Sequence, residues 1–508
     1  MGLAAKLIRD QKHLSDLLAS SISLEGLVDP VISGVQTDSR KVGRGDLFFA
    51  YPGINTDSRQ FVDQIIQLGA AAVLVEKSEG WQRPLLKQGV SIIPITGLRN
   101  QISQISGKFY DYPSTRLTVT GVTGTNGKTS VSQFIAALLN MNKRRCGVIG
   151  TLGYGLLQTR PEVLSDTGFT TPDAVALQAC FAELYAQGAD SVAMEVSSHS
   201  LDQHRIDGID VDIAIFTNLS HDHLDYHGNF ADYARAKQRL FELPSVKHKV
   251  INIDDEVGRT IALNIPDAIS YSLKDPAARI FAQQIKYHEH GFAVSLKTPW
   301  GEGETLVPLL GEFNLSNCLA VIAALGSQGI ALGDILSSLP KLSPVPGRMQ
   351  IFPTASDEPS VLIDYAHTPD ALKNALLALR AHCKGQLWCV FGCGGDRDMA
   401  KRPTMGFEAG KYADIVVVTS DNPRSENPQR IIRDILGGII DQSDTVIEEN
   451  RAAAISLVIA QAQPEDVVLI AGKGHETYQE IAGQKNHFND YEQIALAFSR
   501  RRQEGLSL

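Results

Sequence analysis

The chain has 508 residues, enough for roughly three domains at about 150 residues each. Lys and Arg total 47 against 57 Asp and Glu, a formal net charge of −10, which argues against a basic nucleic-acid-binding protein while leaving room for a local basic pocket. With 43% hydrophobic and 20% charged residues, the composition is that of folded domains and excludes long disorder.

From the N-terminus, Met1-Gly2-Leu3-Ala4-Ala5-Lys6 leads into charged Arg9, Asp10 and Lys12, so no secretory signal is expected. Lys6 stands where myristoylation of Gly2 would want Ser or Thr. Strands are expected at 46–50 and 71–75 with a helix near 61–69 between them. Asp111-Tyr112-Pro113-Ser114 reads as a linker, because Pro113 biases Tyr112 away from helix. A strand over 117–122 then meets a Gly-rich turn and a helix with Val131, Ile135, Leu138 and Leu139 on one side. Strands follow at 147–150, 191–196, 212–217 and 249–253, with helices near 173–187 and 231–242. This alternation predicts a parallel sheet with helices on both faces. Residues 269–310 read as strands and turns of an insertion, before a helix near 314–328. Ser343-Pro344-Val345-Pro346-Gly347 marks a second boundary, after which strands at 361–364, 387–391, 414–419 and 466–471 restart the α/β pattern. No apolar run approaches the ~18 residues of a membrane span. Cys146, Cys180, Cys318, Cys383, Cys389 and Cys393 are sparse and mostly in apolar segments, which reads as reduced thiols in a cytoplasm.

Four segments carry chemistry. Thr123-Gly124-Thr125-Asn126-Gly127-Lys128-Thr129 lies between strand and helix. Its glycines let successive N–H groups face an anion, Lys128 reaches outer phosphates, and Thr129 offers a hydroxyl to Mg²⁺. Val122 occupies the first glycine position of the strict pattern, so this is a shortened phosphate loop that says nucleoside triphosphate and does not name a reaction. Glu195, in Met194-Glu195-Val196-Ser197-Ser198-His199, sits at a strand end where an oxygen ligand suits Mg²⁺. The run from Thr217 to His227 holds three His and two Asp, yet its spacing matches no zinc template. Asp364, in Asp364-Tyr365-Ala366-His367-Thr368-Pro369-Asp370, is placed to touch ribose or metal, and Thr368 or Asp370 suits a helix N-cap. Lys237, by its spacing alone, reads as a solvated lysine on an amphipathic helix.

Together these segments resemble the Mur ligase family, which adds amino acids to the cell-wall peptide precursor. The motifs are Gly124–Thr129, Glu195–His199, Asn218–Gly228, Gly311–Asn317, Pro346-Gly347-Arg348 and Asp364–Pro369, in family order over nearly the whole chain. The resemblance implies an α/β chain of three domains. These are a smaller N-terminal α/β domain that binds the uridine nucleotide (1–112), a central P-loop-type ATP domain (113–345) and a C-terminal Rossmann-like domain for the incoming amino acid (346–508), with 343–347 as a hinge.

Within the family, Asp421-Asn422-Pro423-Arg424 resembles the diaminopimelate-adding type. The physical reason is that meso-diaminopimelate ends in a second amino-acid head with a carboxylate, which an Arg fork can hold, whereas lysine ends in an ammonium that Arg424 would repel. The implied activity is ATP-dependent ligation of diaminopimelate to the D-Glu γ-carboxylate of UDP-MurNAc-L-Ala-D-Glu through an acyl phosphate. By resemblance, Thr123 through Thr129, Asn317, Arg348 and Asp364 bind ATP. Thr37, Ser39, Thr170, Thr171, Ser197, Gln203 and Arg205 bind the uridine precursor. Arg397, Asp421, Asn422, Pro423, Arg424, Gly472 and Glu476 bind diaminopimelate. Lys128, Glu195, His223 and Lys237 are the implied catalytic set, and Thr129, Glu195, His223 and Lys237 the implied Mg²⁺ ligands. The resemblance also reverses the reading of Lys237, implying a CO₂-derived carbamate on a buried amine. Small-molecule substrates are the expected partners, with no nucleic acid and no membrane, and no signal for an oligomeric state. Rival readings are folylpolyglutamate synthetase, a lysine-adding ligase of the same fold, and a regulatory P-loop ATPase.

Overall fold

The computed structural model describes residues 11–505 except 21, 54–55, 158–163 and 289–290; the readings on Gly2 and Lys6 lie outside the described residues. The chain forms two compact units: Met1–Gly124, Ile135–Phe216 and Arg235–Val250 in the first, and Thr125–Phe134, Thr217–Ala234 and Ile251–Leu508 in the second.

The first unit holds two sheets. One has the order Gly34–Gln36, Asp46–Ala50, Ala72–Glu76, Val90–Ile95 and Leu85–Lys87, parallel except at the last pair. Side chains alternate across a strand. Leu47, Phe49 and Leu74 therefore meet the helix Leu98–Phe109, while Phe48, Val73 and Val75 meet the helix Val62–Gln67. The expected strands and first helix are found within two residues. The helix Leu98–Phe109 has no counterpart in the sequence reading. Its buried face includes Ser103, Ser106 and Gly107, which do not look apolar, and the missing Cβ of Gly107 lets Gln178 Nε2 approach to 3.1 Å of that position. Tyr112 avoids the right-handed helix, as Pro113 demands, by turning left-handed at φ 48° rather than extending.

Of the other sheet, the first unit holds in order Gly153–Leu156, Cys146–Gly150, Ser191–Glu195, Thr118–Thr123 and Ile213–Phe216, parallel after the first pair. The parallel pairing and the helices Lys128–Met141 and Ala174–Ala186 between its strands match the expected alternation.

In the second unit, residues 269–310 form the strands Ile269–Ser272, Ile280–His288, Gly291–Thr298 and Gly301–Val307, largely a meander, followed by the helix Glu312–Ser327. The C-terminal sheet has the order Gln350–Phe352, Ser360–Asp364, Val467–Ala471, Leu387–Phe391, Ile415–Val418, Thr445–Ile447. All pairs but the first are parallel. Its four central strands are apolar on both sides. Leu362, Cys389, Phe391 and Leu469 pack with Leu372, Leu376 and Met405 on one face. Ile363, Trp388, Val390 and Val468 pack with Ile455, Val458 and Phe498 on the other. Burial on both faces makes these strands read as continuous apolar runs. All six cysteines are free thiols, five of them buried. Among the described residues, no helix is long and apolar enough to cross a membrane.

Candidate active site

In open α/β sheets, ligands bind beyond the carboxyl ends of the strands. The C-terminal sheet follows this rule: Asp364, Gly392–Arg397, Asp421–Arg424 and Gly472–Glu476 all follow directly from strand ends or the turns just beyond them.

The phosphate loop turns through Gly124 (φ 148°) and Gly127 (φ 88°). Asn218 clamps Asn126: its Oδ1 accepts from Asn126 N at 2.9 Å and its Nδ2 donates to Asn126 O at 3.1 Å. Thr125 N donates to Asn218 O at 2.8 Å, and the Thr125 hydroxyl lies 3.1 Å from the Tyr233 phenol. Lys128 Nζ curls back to Thr125 O at 2.9 Å. A Cβ on Gly127 would stand 2.6 Å from Asn317 Oδ1, so the loop and the helix Glu312–Ser327 are in tight contact. Asn126, Gly127, Thr129, Asn317, Arg348, Tyr365 and Asp364 line one cavity of the second unit. Arg348 stacks 4.4 Å over the Tyr365 ring and donates from Nη2 to Thr129 Oγ1 at 3.1 Å. Its buried Nε has no hydrogen-bond partner among the described residues, a donor suited to an anion. Both oxygens of Asp364 accept backbone N–H groups, from Met349 at 2.7 Å and Ala366 at 2.8 Å. Burial raises its pKa, against the pull of Arg348. Thr368, as expected, caps the next helix by accepting from Ala371 N. His367 is pushed down to about 4, first by burial and then by Lys401.

His223 adopts φ 53° ahead of the short helix Leu224–His227, with Nε2 3.4 Å from the Asp222 carboxylate. Burial raises Asp222, but His223, His367 and Lys401 outweigh it and leave its pKa lowered.

In the first unit, Glu195 ends its strand with Oε1 accepting from Thr151 N at 2.8 Å and Oε2 from the Thr151 hydroxyl at 3.1 Å. Five of the candidate precursor residues, Thr170, Thr171, Ser197, Gln203 and Arg205, gather around this strand end. Thr170 Oγ1 is 3.0 Å from Thr151 Oγ1, and the Thr171 hydroxyl donates to Glu195 O and accepts from Ser197 N. Arg205 donates to Thr171 O at 2.8 Å and grips Gln203 Oε1. Thr37 reaches Asp173, the cap of the helix Ala174–Ala186, at 3.4 Å. Ser39 opens a 3-10 turn capped by Asp38, whose carboxyl is held low by Arg40. Lys237 is not solvated. It is 1% exposed and donates to Gly124 O at 2.8 Å, which overturns the reading from spacing alone.

The turns after the C-terminal strands carry opposite charges. Asn422 Nδ2 donates to Glu476 Oε2 at 2.8 Å. Arg424, at φ 51°, donates from Nη1 to Gly395 O at 2.8 Å, and its Nε lies 3.5 Å from Glu480. Its Nη2 makes no hydrogen bond among the described residues. A Cβ at Gly394 would fall 2.9 Å from Arg424 Nη1, and one at Gly472 (φ 111°) would fall 2.5 Å from Asp421 Oδ2, so both glycines give these side chains their room. Arg397 lies beside Gly394, its Nη1 donating to Asp396 O at 3.2 Å. Pro423 O is 2.0 Å from where a Gly395 Cβ would be. Sequence reading did not single out Asn218, Tyr365 or Lys473. Their roles depend on what packs beside them, and nothing in their spacing signals it.

Family models match three segments: a "Mur ligase family, catalytic domain" over 31–110, a "Mur ligase middle domain" over 122–325 and a "Mur ligase, glutamate ligase domain" over 347–474. A UDP-N-acetylmuramoyl-L-alanyl-D-glutamate–2,6-diaminopimelate ligase of Coxiella burnetii is 46% identical over 494 residues, covering 96% of this chain and 99% of its own. The like-named protein of Ectopseudomonas mendocina is 47% identical over 462 residues, covering 91% of this chain and 93% of its own. A solved structure of a ligase of that name superposes with a TM-score of 0.67 at 36% identity, covering 97% of this chain and 99% of the other.

Proposed function

The chain belongs to the Mur ligase family, and from that premise we propose that it is an ATP-dependent ligase. It joins meso-2,6-diaminopimelate to the D-Glu γ-carboxylate of UDP-N-acetylmuramoyl-L-alanyl-D-glutamate, giving the tripeptide precursor of peptidoglycan, ADP and phosphate, in the cytoplasm. In this reading 1–112 binds the uridine nucleotide, 113–345 binds ATP and 346–508 receives the amino acid. A carboxylate is a poor electrophile, so the γ-carboxylate first takes the terminal phosphoryl group of ATP. The amine of diaminopimelate then attacks the acyl phosphate, a tetrahedral intermediate forms, and phosphate leaves.

The residues fit these tasks. The loop Thr123–Thr129 cradles the phosphates with the backbone N–H groups that Asn218 does not hold, and Lys128 and Arg348 offset charge as two anions are brought together. Asn317 holds the loop at Gly127, and Asp364 shapes the turn beside Arg348. Thr37, Ser39, Thr170, Thr171, Ser197, Gln203 and Arg205 orient the precursor. Arg397, Asp421, Asn422, Pro423, Arg424, Gly472 and Glu476 hold diaminopimelate. For Mg²⁺ the candidates are Thr129, Glu195, His223 and Lys237. A hydroxyl, a carboxylate, an imidazole and a carbamate suit a divalent cation, whereas the ammonium of unmodified Lys237 does not. When bound, Mg²⁺ would supply positive charge to the transferring phosphoryl group.

The observation that carries the specificity is Arg424. It offers a guanidinium edge two residues after Asn422, which holds the Glu476 carboxylate, so a substrate head bearing both carboxylate and ammonium finds a partner for each. The test is phosphate release with ATP, Mg²⁺ and UDP-MurNAc-L-Ala-D-Glu, run with meso-diaminopimelate, with L-lysine, and with neither. Release that depends on diaminopimelate is expected. Release with lysine instead would overturn the specificity, and release indifferent to both would overturn the ligase reading.

A further inference from the structure

Lys473 stands out among the ionisable groups to which the reaction gives no task. It follows the strand Val467–Ala471, is 0% exposed, and donates from Nζ to Glu476 Oε2 at 2.7 Å and to Asn422 Oδ1 at 3.2 Å. Asn422 closes the triangle. Its Nδ2 donates to the same Glu476 Oε2 at 2.8 Å, and its Oδ1 also accepts from Glu480 N at 2.9 Å. With two donors on Oδ1, the amide can point only one way. The Glu476 side chain itself is 16% exposed.

Two donors therefore meet on one oxygen of Glu476, while Oε1 accepts no hydrogen bond within the protein among the described residues. A carboxylate held by one oxygen has its other oxygen fixed in direction and ready for a donor from outside. A buried ammonium is also a poor choice for stability alone, since an apolar side chain of similar volume often does as well as a buried ion pair.

We propose that Lys473 is a positioning residue of the amino-acid pocket: with Asn422 it ties Glu476 by Oε2 and so aims Oε1 at the ammonium of the incoming amino acid. The proposal rests on the ligase reading above and adds to it the residue that orients the ammonium acceptor. Its consequence is selective. Loss of Lys473 frees the Glu476 carboxylate to rotate away, which weakens capture of the amino acid without touching the sites for ATP or the uridine precursor.

The test is steady-state kinetics of the full-length protein, varying each substrate in turn, for Lys473→Met, Lys473→Gln and Glu476→Gln. The expected result is a KM for meso-diaminopimelate at least tenfold higher in both Lys473 variants, with KM for ATP and for UDP-MurNAc-L-Ala-D-Glu within twofold of wild type. The double variant Lys473→Met/Glu476→Gln should be no worse than Glu476→Gln alone, because both changes act through one carboxylate. Lys473→Arg, which keeps the cation, should recover part of the lost affinity. A KM for diaminopimelate within twofold of wild type in a folded Lys473→Met or Lys473→Gln protein would overturn the proposal. So would an equal loss against all three substrates, which is what a purely structural lysine predicts, or fully additive losses in the double variant. Should Lys473→Met not fold, Lys473→Gln carries the same comparison, since it fills the site and keeps a donor without the charge. A wild-type protein that shows no diaminopimelate-dependent turnover would instead refute the ligase reading, so the two failures are distinguishable.

Discussion

Replacing Arg451 with Met should destabilise the C-terminal sheet sharply, and replacing its partner as well should restore most of the loss. Arg451 opens the helix Arg451–Gln461 and Asp490 opens the helix Asp490–Gly505. Arg451 Nε and Nη2 each reach one oxygen of Asp490 at 2.8 Å, Nη2 also donates to Ala471 O at 2.9 Å, and both side chains are 0% exposed. A cation at a helix N-terminus opposes the helix dipole, so here Asp490 is what makes Arg451 tolerable. Met in its place strands the Asp490 carboxylate in the core. Breaking a buried pair from one side costs about 3–5 kcal/mol, whereas replacing both partners with apolar groups is often neutral. With an m-value of about 2–3 kcal/mol/M in urea, the single variant should lower the unfolding midpoint by roughly 1–2 M. Arg451→Met/Asp490→Leu should recover most of it. Tryptophan fluorescence during urea titration is the assay, because Trp388 packs in the same core as Ile455, Ile494 and Phe498. A midpoint shift below about 0.3 M in the single variant, or a double variant no more stable than the single, would falsify the buried-pair argument.

Three further outcomes follow from single residues. His367 stays neutral in the fold between pH 6.5 and about 4, where the unfolded chain takes up a proton. Its contribution to stability is therefore lost as pH falls through that window, by up to about 3 kcal/mol, and urea midpoints of wild type and His367→Asn should converge toward pH 4; parallel curves would refute this. Lys237→Arg keeps a cation but cannot become a carbamate, so ligase turnover should fall at least about a hundredfold, about 2.7 kcal/mol of transition-state stabilisation. ¹³C-bicarbonate should label the wild-type protein alone, and an active Lys237→Arg enzyme would sink the carbamate. Gly127→Ala puts a Cβ at φ 88° and 2.6 Å from Asn317 Oδ1. The strain of about 1–2 kcal/mol should raise the KM for ATP roughly tenfold, and an unchanged KM would mean the loop yields freely.

Much of the architecture was legible because it is local. The strand at 118–123, the glycines at 124 and 127 and the helix from Lys128 follow from period, punctuation and turn chemistry, and the strands of the C-terminal sheet announce themselves as apolar runs because both faces are covered. The helix Leu98–Phe109 escaped, since its buried Ser103, Ser106 and Gly107 carry no apolar signature.

The chemistry divides in the same way. The order of motifs along the sequence determined the family and the phosphate loop and singled out the segments that follow the C-terminal strands, because covalent spacing is all these patterns need. Tertiary structure alone decided that Lys237 is buried against Gly124 O, that Arg348 lies on Tyr365, and that Lys473 and Asn422 converge on one oxygen of Glu476. Burial and hydrogen-bond partnership arise from residues far apart in sequence, such as Asn422 and Lys473, and only the folded chain brings their atoms within 3.2 Å.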